Sequence, residues 1–233
     1  TDWMSKPLRS GYSINNSIGA SGRGNDMTYR VNANMRNIKG VMKDDYRNTI
    51  GLSMFLSYHV DNRVTVSFQS SYSDLTWKES PYGSFSDYVI MNPYDAPYDE
   101  YGRVNKTMSW EMANPLFEAE CGNYDEGASR SFTNTLSFRW DVLPGFFING
   151  TGTIVTSRER TEKFISPESN EFKDVANRSE QGSLSINNIR RLSYEGKFVV
   201  NYAKNLGEDY LLTLHGGFDI SKKTQTMDGY TAY

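Results

Sequence analysis

Cysteine and histidine are scarce in this chain of 233 residues, which contains only Cys121, His59 and His215. A single cysteine excludes a disulfide framework and a cysteine-rich zinc site. The net charge is −3 and no lysine–arginine cluster occurs, which disfavours nucleic-acid binding. No apolar run approaches the roughly 18 residues of a membrane-spanning helix, so the sequence excludes a helical membrane protein. We expect no catalytic site, cofactor or metal.

A two-residue alternation of apolar and polar side chains dominates the sequence. From Ile50 to Met54, for example, the apolar residues are separated by Gly51 and Ser53. Such alternation predicts long strands with one apolar and one polar face, most of them longer than the ~5–6 residues typical of globular sheets. The sequence therefore predicts an all-β fold of about eight antiparallel strands. They lie in Tyr12–Ala20, Thr28–Arg36, Tyr46–Val60, Val64–Ser73, Phe132–Val142, Phe146–Ile154, Tyr194–Tyr202 and Tyr210–Ile220.

Short and long connections alternate along the chain. Tight turns rich in Gly, Asn, Asp and Pro are predicted at 22–26, 61–63, 143–145 and 203–208. Longer connections are predicted at 37–45, 79–130 and 158–182. All short turns then fall on one rim and all long loops on the other, as in outer-membrane barrels with short periplasmic turns and long extracellular loops.

Alternation alone fits a transmembrane β-barrel or a soluble β-sandwich. Three features favour the barrel: strands that suit the ~9–11 residues needed to cross a bilayer, a polar face of Ser, Thr, Asn, Gly and Arg that suits a hydrated lumen, and rings near the tight turns. Rings at strand ends resemble an interfacial girdle, although ordinary sheet propensity also places them in strands. They are Tyr29, Tyr58, Trp140, Phe146, Tyr202 and Tyr210.

The connection 79–130 differs in composition from the strands. It has ten acidic against three basic residues, a net charge of −7, with four of the seven prolines and nine aromatic rings. A loop longer than ~12–15 residues is usually functional or disordered, and this content favours an ordered loop. Rings beside carboxylates and amides suit sugars, so Tyr94, Tyr98, Tyr101 and Trp110 are the candidate substrate-binding residues. The alternative is that the rings only pack the loop against itself and its neighbours.

Other candidate sites are weaker. Asp95, Asp99 and Glu100 could ligate calcium, but the EF-hand spacing is absent and a solvated acidic loop is the simpler interpretation. Glu118 and Glu120 could form a hydrolase pair, yet no other catalytic group accompanies them, so we reject that role. Four arginines are predicted on the polar strand face, where they either line the lumen or form ion pairs in the wall: Arg30, Arg36, Arg47 and Arg139.

The order of several short motifs resembles one family, the SusC-like TonB-dependent transporters of Bacteroidetes outer membranes. Thr1-Asp2-Trp3 precedes a strand that leads to Ser21-Gly22, and Gly40-Val41 precedes Tyr46-Arg47. The large loop then contains Asn92-Pro93-Tyr94 and Asn114-Pro115-Leu116. Each motif is weak alone, but together they follow the family along the whole chain.

This resemblance implies a piece of a barrel of about 22 strands, with the plug domain and closing strands outside the chain. It also implies import of an oligosaccharide, or of a peptide in some relatives, across the cell outer membrane. The implied partners are a SusD-like surface lipoprotein, the TonB–ExbB–ExbD complex acting through the absent plug, and outer-membrane lipid. An open sheet in lipid would leave unpaired strand edges, which independently favours a fragment of a larger wall.

Two alternatives remain at this stage. One is a secreted, soluble β-sandwich that binds carbohydrate with the same tyrosines and buries its apolar faces between two sheets. The other is a small, self-contained eight-stranded barrel of the porin or adhesin type. Because the chain starts without Met and ends just after a strand-like segment, we expect it to be part of a longer protein.

Overall fold

Eight antiparallel strands form one sheet in the computed structural model, which describes residues 1–60, 63–206 and 209–233. Each strand pairs with the next along the chain, so the spatial order equals the sequence order. The all-β prediction is confirmed. The strands are β1 (Tyr12–Arg23), β2 (Met27–Lys39), β3 (Tyr46–Val60), β4 (Val64–Lys78), β5 (Tyr124–Leu143), β6 (Phe146–Ile165), β7 (Ser183–Leu206) and β8 (Tyr210–Ala232).

The pairing register places the alternating apolar residues of successive strands on one face. Leu56 pairs with Phe68, which pairs with Leu136, and directly paired residues share a face of a sheet. We call the apolar part of this face the band. It comprises residues 50–60 of β3, 64–72 of β4, 132–140 of β5, 146–154 of β6, 192–202 of β7 and 210–220 of β8, at alternate positions.

No other part of the described chain covers the band. Leu136 is 54% exposed and Phe218 is 64% exposed, although both are large and apolar. The β-sandwich prediction is therefore wrong, because a sandwich would bury this face against a second sheet, and the described residues form a single sheet. Across each of β3 to β8 the band spans about nine to eleven residues, the length that crosses a bilayer.

Strands β5 to β8 extend well beyond the band, toward the long connections. They contain 20, 20, 24 and 23 residues. On the band face, their outer halves begin with polar and charged side chains, and Phe164, Leu184 and Ile186 follow near the cap. The predicted long connections were therefore too long: 124–130 belongs to β5, 158–165 belongs to β6, and 37–39 belongs to β2. The backbone of these segments is still paired with its neighbours. The sequence did not predict them as strands because they lack the alternation of apolar and polar residues.

The tight turns lie at one rim, as predicted. The first is shorter than predicted, since Gly22 and Arg23 belong to β1. In the β5–β6 turn Leu143 also belongs to its strand, and Gly145 adopts a φ of 78°, which favours glycine. The predicted turn at 203–208 is shorter too, since residues 203–206 belong to β7. Residues 61–62 and 207–208, which belong to two of the predicted turns, lie outside the described residues.

The sheet is open within the described residues. β1 pairs only with β2 and β8 only with β7, so the closed eight-stranded barrel is not the architecture seen here. Two short helices, α1 (Phe85–Val89) and α2 (Pro115–Glu120), lie in the large connection, where the sequence showed no helical period. No helix in the described ranges is long and apolar enough to cross a membrane.

Candidate functional site

The long connections pack together at the rim opposite the tight turns. We call residues 1–11, 40–45, 79–123 and 166–182 the cap. Its core contains four buried apolar side chains, Trp3, Tyr88, Met91 and Leu116. Burial raises the pKa of the Tyr88 phenol above its usual range, so this ring acts as a neutral packing element. The prediction of an ordered large loop is confirmed.

Backbone and side-chain hydrogen bonds join the chain's first residues to the large connection. The Trp3 indole Nε1 donates to the carbonyl of Asn92 at 2.9 Å, and the Thr1 hydroxyl donates to the carbonyl of Asp95 at 2.8 Å. On the other side, the Ser80 hydroxyl donates to the carbonyl of Lys43 at 2.6 Å. Three segments distant in sequence therefore form one unit.

Glu118 links the large connection to the segment 166–182. Its Oε1 accepts from the backbone N–H of Asn170 at 2.8 Å, and its Oε2 accepts from the Ser169 hydroxyl at 2.6 Å. The side chain of Asn123 also donates to this carboxylate, at 3.3 Å. A carboxylate with both oxygens engaged in this way holds two loops together, which accounts for Glu118 without the hydrolase role that we rejected.

Two short hairpins project from the cap, marked by backbone bridges between Tyr98 and Val104 and between Thr107 and Ala113. In the first, Asp99 accepts from the backbone N–H groups of Tyr101 at 2.9 Å and Arg103 at 2.8 Å. These hydrogen bonds, chiefly that from the Arg103 backbone, lower the pKa of Asp99. Asp99 therefore stabilises the turn of this hairpin, and these contacts account for one of the three acidic residues considered as calcium ligands.

The second hairpin carries Trp110 at its tip. Asp95 anchors it by accepting from the Ser109 backbone N–H at 3.1 Å and from the Ser109 hydroxyl at 2.6 Å. Trp110 and Glu111 have φ angles of 57° and 56°, a left-handed conformation that costs an ordinary residue roughly 1–2 kcal/mol. The anchors hold this unusual turn, which directs the indole away from the cap core.

Asn114 fixes both hairpins from beneath. Its side chain is fully buried, and its amide nitrogen donates to the carbonyls of Asn105 at 2.7 Å and Pro97 at 3.1 Å. Its amide oxygen caps α2 by accepting from Leu116 N–H at 3.0 Å. Part of the motif Asn114-Pro115-Leu116 therefore has a structural role that its sequence did not reveal.

The four candidate substrate-binding rings differ in exposure. Tyr94 is 94% exposed, Trp110 is 82% exposed and Tyr101 is 75% exposed. Tyr98 is less accessible, with the Lys6 ammonium 5.7 Å from its ring centroid. The three exposed rings lie at the surface of one loop, and the Arg103 guanidinium lies 5.3 Å from the centroid of the Tyr101 ring. Their contact with substrate stays a prediction.

The four candidate arginines all lie on the polar face of the sheet, since they pair with residues of that face. Arg47 forms an ion pair with Glu79 at 2.8 Å, and Arg139 forms one with Asp141 at 2.8 Å. Within the described chain, no carboxylate lies within 4 Å of Arg30 or Arg36. Two of the four therefore form ion pairs in the sheet, and the assignment of this face to a lumen remains a prediction.

The structure contains one cleft that the sequence analysis did not predict. A cavity of about 440 Å³ lies between the cap and the rim of the sheet. Its lining is strongly acidic, with Lys163 as its one basic residue. The lining comes from several segments that are far apart in sequence, so no local motif could have marked it. Its acidic residues are Asp45, Glu79, Glu118, Asp125 and Glu171.

Similar folds occur in solved importers. The sheet and cap are similar to part of the RagAB peptide importer in its closed-closed state, with a TM-score of 0.78, 14% identity, and 99% of this chain covered. They are also similar to the ferric-catecholate import receptor Fiu from E. coli K12 in its open form, with a TM-score of 0.57, 13% identity and 94% coverage. No family model matches the chain, and no curated protein matches it.

At these identities the likeness shows the fold. The chain has the fold of a segment of the barrel wall in these structures. It spans 26% of the RagAB chain and 35% of the Fiu chain, so the predicted eight-stranded piece of a larger barrel is confirmed as architecture.

Proposed function

We propose that this chain forms part of the wall and outer loops of a TonB-dependent importer in the cell outer membrane. The band carries this proposal. An exposed apolar face of constant width on six neighbouring strands, with a polar opposite face, suits a wall between acyl chains and water. The likeness to importer structures supports the same function.

The cap then faces outward, because tight turns lie on the periplasmic side of such barrels and long loops outside. We propose that the cap meets a SusD-like surface lipoprotein and the incoming ligand. The TonB–ExbB–ExbD complex would act through a plug domain outside this chain. The residues here bind and guide the substrate and perform no covalent chemistry on it.

The substrate that the cap suits best is an oligosaccharide. Tyr94, Tyr101 and Trp110 present exposed rings on one loop, and the cap also contributes to a cleft lined mainly with carboxylates. Flat rings stack on the C–H faces of sugars, while the polar groups bind hydroxyls. Peptides are the second candidate substrate, favoured by the similarity to a structure described as a peptide importer.

Membrane fractionation tests the proposed function, and growth measurements test its substrate. The gene is deleted, and the strain is grown on single oligosaccharides or peptides as carbon source. The full-length protein is located by outer-membrane fractionation. We expect the protein in that fraction and a growth defect on oligosaccharides. A defect confined to peptides would select the second substrate, while a protein absent from the outer membrane would refute the importer.

Trp110 gives the sharper test of the ligand site. Trp110→Ala removes a stacking ring, whereas Trp110→Phe keeps one, so the two variants separate stacking from folding. Pairs of stacked aromatic rings contribute about 0.5–1.5 kcal/mol beyond their buried area. Taking a ring stacked on a sugar to be of the same order, we expect affinity for the imported oligosaccharide to fall several-fold in the alanine variant alone. Equal affinity in wild type and Trp110→Ala would remove this ring from the site.

A further inference from the structure

The band ends at a row of basic side chains on four neighbouring strands. On each of β5 to β8, the first charged residue beyond the band on that face is basic. These residues are Arg130, Arg158, Arg190 and Lys222. We call them the basic row. It lies on the side of the band nearer the cap, which the proposed function places at the outer leaflet.

The register brings like charges together in this row. Arg130 pairs directly with Arg158, and Arg158 pairs directly with Arg190. Like charges directly opposite one another destabilise a sheet. Arg130 has a partner on β4, since its Nε lies 3.0 Å from a carboxylate oxygen of Asp74. For Arg158 and Arg190, the described residues place no carboxylate within 4 Å, and both side chains are exposed.

A shallow apolar trough lies next to the row on the same face. Its floor is formed by Gly150, Gly152 and Gly196, where the absence of side chains lowers the surface. Leu136 and Phe138 border it on one side, and Phe198, Phe218 and Ile220 on the other. Two adjoining cavities of about 390 and 490 Å³ make up the trough, and Lys222 lines the end nearer the cap.

We propose that the basic row and the trough bind a phosphorylated lipid of the outer leaflet. The phosphate would lie between Arg158 and Arg190, which can each donate two hydrogen bonds to it, and an acyl chain would fill the trough. Ile154 lines the end of the trough nearer the cap. Arg158 lies four residues further along the same strand, a distance of about 13 Å. A sugar-sized headgroup and the long arginine side chains span that distance. This inference rests on the proposed membrane location.

Lipid retention by the full-length protein tests the proposal. The protein is reconstituted in phosphatidylcholine nanodiscs with bisphosphorylated lipid A or its dephosphorylated form, and the bound lipid is quantified by mass spectrometry. The variant Arg158→Gln/Arg190→Gln is compared with Lys173→Gln/Arg178→Gln, which loses the same charge in the cap. Each basic residue at an anionic surface contributes roughly a factor of five in binding. We expect the first variant to retain the phosphorylated lipid about thirtyfold less well and the second to match wild type.

Gly152→Leu tests the trough without changing charge. A Cβ atom at Gly152 meets no atom within 4 Å, so the backbone has room for a side chain there. We expect the leucine to occupy the trough and to weaken retention of the same lipid. Equal retention of phosphorylated and dephosphorylated lipid, or unchanged retention in the Arg158→Gln/Arg190→Gln variant, would overturn the proposal. If the protein does not reach the outer membrane, the proposed function fails; if it does but retention is unchanged, only this inference fails.

Discussion

The band and the cap are both rich in aromatic rings, but the rings are exposed in the band and several are buried in the cap. In the band, Phe138 and Phe218 project from an open face. In the cap, Trp3 and Tyr88 are buried among apolar neighbours, and the Trp3 indole donates a hydrogen bond to the distant carbonyl of Asn92. The cap contains its own buried core, whereas no other part of the described chain covers the band. Ring content alone therefore does not reveal function, and the surroundings of each ring decide its role.

A charge placed in the band should produce the largest effect. Leu136→Arg puts a guanidinium on the band face, while Thr135→Arg puts the same group on the polar face of the neighbouring position. An arginine at the bilayer midplane costs about 2–4 kcal/mol in a membrane barrel. We expect Leu136→Arg to lower the unfolding free energy in lipid vesicles by that amount and Thr135→Arg to change it little. Equal effects would show that lipid does not meet the band.

Loss of the Asn114 side chain should disturb the cap and leave the band intact. Asn114→Ala removes a helix cap and two hydrogen bonds to carbonyls from a buried position. We expect a local destabilisation of about 2–3 kcal/mol, seen as faster hydrogen exchange in 95–116 with unchanged exchange in β3 to β8. As a control, Asn105→Ala removes a single exposed side-chain hydrogen bond and should have a smaller effect. Exchange that rises equally in the strands would mean that cap and sheet unfold together.

Two glycines in the trough provide a smaller, matched comparison. A Cβ atom at Gly150 would overlap the Phe138 ring, whereas a Cβ atom at Gly152 would meet no atom within 4 Å. Overpacking costs typically about 1–3 kcal/mol, so Gly150→Ala should destabilise the sheet. Gly152→Ala should be neutral or stabilising by up to about 1 kcal/mol, through reduced chain entropy in the unfolded state. Denaturant unfolding of the two variants in the same vesicles measures this difference.

The smallest expected effect concerns the cap thiol. Burial, and next the negative charge of Glu118, raises the pKa of Cys121, so less thiolate is present near neutral pH than for an ordinary cysteine. Because the thiolate is the reactive form, we expect Cys121 to react with iodoacetamide more slowly than a free thiol at pH 8, with the rate still rising above pH 9. Glu118→Gln should raise the rate. A rate equal to that of free cysteine would contradict the burial of this thiol.

The sequence predicted the strands correctly where one face is apolar, and it failed where the apolar alternation ends. From Phe132 to Trp140 the alternation is plain and β5 was placed correctly. Its outer half, 124–130, was assigned to a loop because charged and small residues there carry no two-residue apolar period. Backbone pairing with β4 and β6 continues regardless, since hydrogen bonds in a ladder do not depend on side-chain polarity.

The candidate site was predictable only in part. The exposure of Tyr94, Tyr101 and Trp110 fits the expectation from an acidic, ring-rich loop, but sequence gave no reason to separate them from the half-covered Tyr98. The role of Glu118 as a link to residues 169 and 170 also depends on contacts across about 50 residues of sequence separation. Such contacts leave no local pattern, so spacing rules could not find them.

By itself, the sequence determined the two-faced strands, their number and the division into a tight-turn rim and a long-loop rim, because these follow from local periodicity and turn chemistry. Only the tertiary structure decided how the loops pack into one cap, which rings stay exposed, and that three arginines lie side by side at the edge of the band. The reason is that register and loop packing are set by pairings between distant segments, and each pairing depends on the position of all the others.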